Sequence, residues 1–145
     1  MQTREQVETK YKWDLSSYFE DEQQFEEALK ELDKTKDCLC RFENNLKTRE
    51  QIFECLLLSS KQSLLAGKLY VYSALVTKQD QGDSNAQECL ERVSNILTQI
   101  SANNSFVDVE LSALDNDFLT ELSNDKQYPQ FSEVFKSIIR EKQHT

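Results

Sequence analysis

Glycine and proline are almost missing from this 145-residue chain: only Gly67, Gly82 and Pro129 occur. Chains with many tight turns use more of both, glycine for positive φ and proline for a preset φ. Two widely spaced glycines also exclude a glycine-rich phosphate loop. Histidine is scarcer still, with His144 alone near the end. A zinc hydrolase of the zincin type places two histidines one helical turn apart, with a glutamate between them as base. One histidine cannot supply that pattern. No apolar run approaches the roughly 20 residues of a membrane span; the longest is Cys55-Leu56-Leu57-Leu58. The opening MQTREQVETKYKW has no apolar core of an export signal, so the expected location is the cytoplasm.

Basic residues are the minority, 17 against 26 acidic ones, for a net charge of −9. Phosphate backbones and anionic membranes select clustered Lys and Arg, so neither nucleic acid nor a membrane surface is an expected partner. Four cysteines, Cys38, Cys40, Cys55 and Cys89, are too poorly placed for a disulfide frame. Cys38 and Cys40 are two apart on a helical segment and diverge. Cys55 and Cys89 lie beside apolar stripes, where a free thiol acts as a small hydrophobe. Cys38-Leu39-Cys40 also has the wrong spacing for a zinc knuckle, and no second pair follows.

What is present is helical periodicity. Strand-like alternation is lacking, and no internal repeat stands out. Residues 1–20 read as an extended arm closed by Trp13, Leu15, Tyr18 and Phe19. A first helix is expected from Asp21 to Leu46, on the stripe Phe25, Leu29, Leu32, Leu39, Phe42 and Leu46. A second is expected from Thr48, where Thr48 and Gln51 have capping-box spacing, to Lys78. From Leu69 to Val76 its apolar residues point nearly all round, which asks for burial on more than one side. Gly82 reads as a left-handed stop, and Ser84 with Gln87 as a further capping box. The third helix carries Leu90, Val93, Ile96, Leu97 and Ile100 and continues, bent or interrupted near Asn103-Asn104, to Leu114. A short helix over Asp117–Leu122 and another after Pro129, on Phe131, Val134, Phe135, Ile138 and Ile139, complete the set. Short connections between long helices force antiparallel neighbours. The expected fold is thus all-α, an antiparallel helical bundle over residues 21–145 with an extended N-terminal arm over residues 1–20.

The residues that could carry chemistry are few. The acidic groups Glu20-Asp21-Glu22 and Glu26-Glu27 fit a solvated helix face better than paired acid and base. His144 with Cys55 or Cys89 would be a nucleophile and base, but nothing in the sequence singles the pairing out. Tyr70, Tyr72 and Phe106 fit either helix packing or the lining of a peptide groove.

Three segments carry a family resemblance. Tyr11-Lys12-Trp13-Asp14-Leu15-Ser16-Ser17-Tyr18-Phe19 is similar to the entry segment of oligoendopeptidase F-like zinc metallopeptidases. Lys68-Leu69-Tyr70-Val71-Tyr72-Ser73-Ala74-Leu75, followed by Gln79-Asp80 and Asn85-Ala86-Gln87, resembles that family's helix and turn. Ile138-Ile139-Arg140-Glu141-Lys142-Gln143-His144-Thr145 resembles the segment by which the family passes to its next region, with Gln143 where proline often precedes the histidine. The resemblance implies a helical N-terminal domain that forms part of the substrate-channel wall of a cytoplasmic zinc endopeptidase acting on oligopeptides. The zinc ligands and glutamate base would lie in an absent catalytic domain, on the same or a separate chain, which is the implied partner. No catalytic, cofactor-binding or metal-ligating residue is assigned here, and this chain alone is expected not to cut peptides. Tyr70 and Tyr72, with Phe131 and Phe135, are the candidate interdomain or peptide-facing residues. The alternative is a stand-alone helical interaction module or a truncated gene relic.

Overall fold

The computed structural model describes Phe19, residues 21–79 and residues 84–144. The remainder of the N-terminal arm, the stop expected at Gly82 and Thr145 lie outside the described residues, as does the side chain of Ser84. Within them the elements are helices and turns, with no strand. The protein is all-α, as the missing glycine, proline and alternation predict.

Asp21 starts the first helix, α1 (Glu22–Lys34), by accepting the Gln24 N–H at 2.8 Å on its carboxylate. An N-cap carboxylate satisfies a free amide and suits the positive end of the helix. The helix then ends twelve residues before the expected Leu46. Thr35 closes it, with its N–H donating to the carbonyls of Glu31 (3.1 Å) and Leu32 (3.2 Å) and its hydroxyl to Glu31 (2.9 Å). The chain continues as turns and one 3₁₀ turn, Cys40–Phe42, to Asn44, whose φ of 66° is left-handed. Asparagine is among the few residues besides glycine that tolerate this.

The apolar spacing misleads here because the stripe crosses a seven-residue gap from Leu32 to Leu39, filled by Thr35 and Lys36. Phe25, Leu29 and Leu32 belong to one core, whereas Leu39, Phe42 and Leu46 belong to another.

The second helix, α2, runs Arg49–Gln79 (31 residues), and the third, α3, runs Ser84–Ser112 (29 residues). The capping box that opens α2 is made: the Thr48 N–H donates to Gln51 Oε1 and the Gln51 N–H to Thr48 Oγ1, both at 3.3 Å. α3 passes through Asn103 and Asn104 without interruption. Asparagine is only mildly unfavourable inside a helix. Two short helices follow, α4 (Asn116–Ser123) and α5 (Ser132–Gln143), with a 3₁₀ turn at Pro129–Phe131 before the latter.

The chain divides into two compact units: Met1–Lys36 with Lys61–Ile100, and Asp37–Ser60 with Ser101–Thr145. α2 and α3 therefore each give one part to each unit. In the first unit Phe19, Phe25, Leu29, Leu32, Ala66, Leu69 and Val93 form the core. Gln62, 6% exposed, ties α2 to the end of α1 by donating to the Thr35 carbonyl at 3.0 Å. A buried amide left without such a partner would cost about 1–3 kcal/mol. In the second unit Leu39, Leu46, Ile52, Phe53, Cys55, Leu111, Leu119 and Phe135 are among the most enclosed.

Candidate functional site

Each candidate residue can be placed by asking what its helix packs against. Tyr72 turns inward in the first unit. Its ring stacks on Phe25 (centroids 5.0 Å) and meets the Phe19 edge (5.3 Å). Burial raises the Tyr72 hydroxyl pKa, and the carboxylates of Glu22 and Asp21 push the same way. Tyr70, two residues earlier, points away from that cluster and is 48% exposed. Of the stretch read as apolar all round, Leu69 is buried, while Val71 lies exposed beside Tyr70. One arc of this helix is thus uncovered.

Phe131 and Phe135 belong to the second unit, and both are buried. They surround Phe53, whose centroid is 6.2 Å from Phe131 and 5.8 Å from Phe135, and 4.5 Å from the stacked ring of Tyr128. These contacts give both phenylalanines a packing role in this unit. Tyr70 and Tyr72 fall in the first unit, so the four candidates divide between the two.

The most elaborate polar arrangement has no sequence signature. Arg49, in the first turn of α2, donates from Nε and Nη2 to the two carboxylate oxygens of Asp125, at 2.5 and 3.0 Å. Nη2 also reaches Gln127 Oε1 at 3.0 Å. The guanidinium lies 5.2 Å from the Phe53 ring centre and 5.7 Å from that of Tyr128, within cation–π range. Asp125 in turn accepts the Gln127 N–H at 2.9 Å, which shapes the turn before Pro129. The hydrogen bonds from Arg49 hold the Asp125 carboxyl below the usual aspartate range. Every group is engaged by its neighbours, so the cluster acts as a clasp between α2 and the α4–α5 connection. In the first unit Arg92 and Glu26 form a bidentate pair at 2.8 Å, which lowers the Glu26 pKa. Partly exposed pairs of this kind contribute about 0.2–1 kcal/mol.

Cys38, Cys55 and Cys89 offer no activated nucleophile. Cys55 is fully buried, and burial pushes its pKa up to about 11. Burial also raises Cys38 and Cys89. An activated thiol needs the opposite shift. All four cysteines are free. His144 is exposed at the end of α5. Among the described residues no group of three or more His, Cys, Asp or Glu could hold a metal ion, and no helix is long and apolar enough to cross a membrane. Shallow grooves occur among the described residues. One is lined by Leu29, Lys30, Asp33, Arg92, Asn95 and Ile96, and another lies beside Asn44, where Glu110 accepts the Asn44 N–H at 2.8 Å. Neither gathers free catalytic groups.

Two oligopeptidases resemble this chain. It is 27% identical over 146 residues to the group B oligopeptidase PepB of Streptococcus agalactiae serotype III (strain NEM316), a match covering 97% of the chain and 24% of that protein. It is 21% identical over 143 residues to the oligopeptidase PepF of Bacillus subtilis (strain 168), covering 97% of the chain and 21% of that protein. The chain therefore spans less than a quarter of the length of these relatives. No family model matches it, and no solved structure does.

Proposed function

We propose that this chain serves as a non-catalytic helical portion of an oligopeptidase of the oligoendopeptidase F type. In that reading it is N-terminal, forms part of the wall around the oligopeptide channel, and works in the cytoplasm. The observation that carries the reading is the match along 97% of the chain to two oligopeptidases, of which it covers only a fifth to a quarter. The architecture is compatible, because a wall requires rigid helices rather than a reactive cleft. The described residues do not fit a zinc site, so no catalytic step is assigned to them. Hydrolysis belongs to the remainder of the complete enzyme, and oligopeptides are substrates of that enzyme only.

The test uses recombinant chain, a set of internally quenched fluorogenic oligopeptides and added zinc. No chelator-sensitive cleavage is expected. Cleavage that survives repurification and disappears with chelator would end the non-catalytic assignment.

A second reading, a helical interaction module, is favoured by one observation, the uncovered arc of α2.

A further inference from the structure

That arc has a definite chemistry. Leu64 is 69% exposed and Val71 36%. Seven residues apart, they lie within about 20° of each other around the helix. Gly67 stands between them in sequence and about 40–60° to one side. A Cβ placed on Gly67 would meet nothing within 4 Å. Glycine is the least favourable residue after proline in a helix interior, and no packing around this site requires it. What glycine permits is close approach of another backbone. Tyr70 borders Gly67 on the far side, and Lys61 and Lys68 border the Leu64 side, all three exposed. The arc therefore reads, in order, basic edge, aliphatic ridge, bare backbone, aromatic edge.

Charge selects the occupant. The chain carries −9 overall, yet no Asp or Glu occurs from Cys55 to Gln79, a stretch with three lysines. Among the described residues no carboxylate pairs with Lys61 or Lys68. A second copy docking by the same arc would set lysine against lysine. We infer that Leu64, Gly67 and Val71 seat an amphipathic helix of a partner protein, its backbone over Gly67 and its acidic flank against Lys61 and Lys68. Apolar anchors at helical spacing provide the contact, as in other helix-in-groove recognition. The lysines fix partner choice, as flanking charges do in paired helices. This inference stands apart from the peptidase reading.

The test titrates the full chain with two synthetic helical peptides sharing one leucine heptad seam, flanked in one by glutamate and in the other by lysine. Binding is followed by peptide fluorescence anisotropy and by amide NMR shifts. The glutamate peptide should bind at least tenfold more tightly, with shifts centred on residues 61–71. Leu64→Asp should abolish binding. Gly67→Leu should also abolish it without lowering the melting temperature, since leucine is the better helix former. Lys61→Glu with Lys68→Glu should reverse the preference. Equal affinity for both peptides, no binding of either, or binding untouched by Leu64→Asp would overturn the inference. Self-association of the chain that Leu64→Asp removes would also overturn it, because the occupant would then be a second copy.

Discussion

Phe53 is the ring on which the second unit's packing converges, so its truncation should be among the most damaging single changes. It is 1% exposed and touches three rings, those of Tyr128, Phe131 and Phe135, beneath the Arg49 guanidinium. Buried Phe→Ala changes cost about 3–5 kcal/mol, from lost transfer energy and the cavity left behind. Aromatic pairs add about 0.5–1.5 kcal/mol each beyond buried area, so Phe53→Ala should fall in the upper half, near 4–5 kcal/mol. A domain of this size is stable by on the order of 10 kcal/mol, so the variant should fold but lose much of its margin. Urea unfolding followed by far-ultraviolet circular dichroism measures the loss as a lower midpoint at unchanged slope. The matched control is Leu64→Ala on the exposed arc, expected within about 0.5 kcal/mol of the parent. A loss below about 1.5 kcal/mol for Phe53→Ala, or a larger loss at Leu64 than at Phe53, would refute the assignment of core and surface.

Further outcomes follow from individual residues. Gly67→Ala should stabilise the chain by about 0.8–1.0 kcal/mol in the same urea assay, because the methyl enters open space on a helix interior. Thr48→Ala removes half of the capping box and should cost about 1 kcal/mol. In the native chain a thiol reagent with mass-spectrometric site mapping should label exposed Cys40 well before Cys55, whose modification should require denaturant. The Cys55 pKa is raised on folding, so its contribution is complete below about pH 8.5 and is lost as pH climbs through about 11. Asp125 has the opposite sign. Its folded pKa is depressed, so its contribution is complete above about pH 3.9 and lost as pH falls through the lowered value. Asp125→Asn should flatten that part of the acid-unfolding curve.

Local rules made much of the helix set legible. Thr48 and Gln51 announced the start of α2, and the structure ends that helix one residue beyond the expected Lys78. The stripe from Phe131 to Ile139 similarly identified α5. Periodicity failed at Leu32–Leu39, because equal spacing does not reveal a change of packing partner. One side of that gap feeds the first core and the other the second. At Asn103-Asn104 periodicity held, and weak propensity did not interrupt the long helix. The separation of Tyr70 from Tyr72 was hidden for a different reason. An all-round apolar helix does not say which arc lacks a neighbour. The clasp joins Arg49, in the first turn of α2, to Asp125, 76 positions later in an unremarkable loop, and nothing in the local sequence distinguishes it.

The proposed function makes this chain a helical, non-catalytic portion of an oligopeptidase, and capture of the native protein tests it. The most direct measurement captures the native species carrying these residues from its own cells, with an antibody to α5, and assays oligopeptide hydrolysis with and without chelator. Chelator-sensitive cleavage is expected in the captured material and none from the recombinant chain. Captured material without that activity, at a yield where a known oligopeptidase control is readily measured, would contradict it.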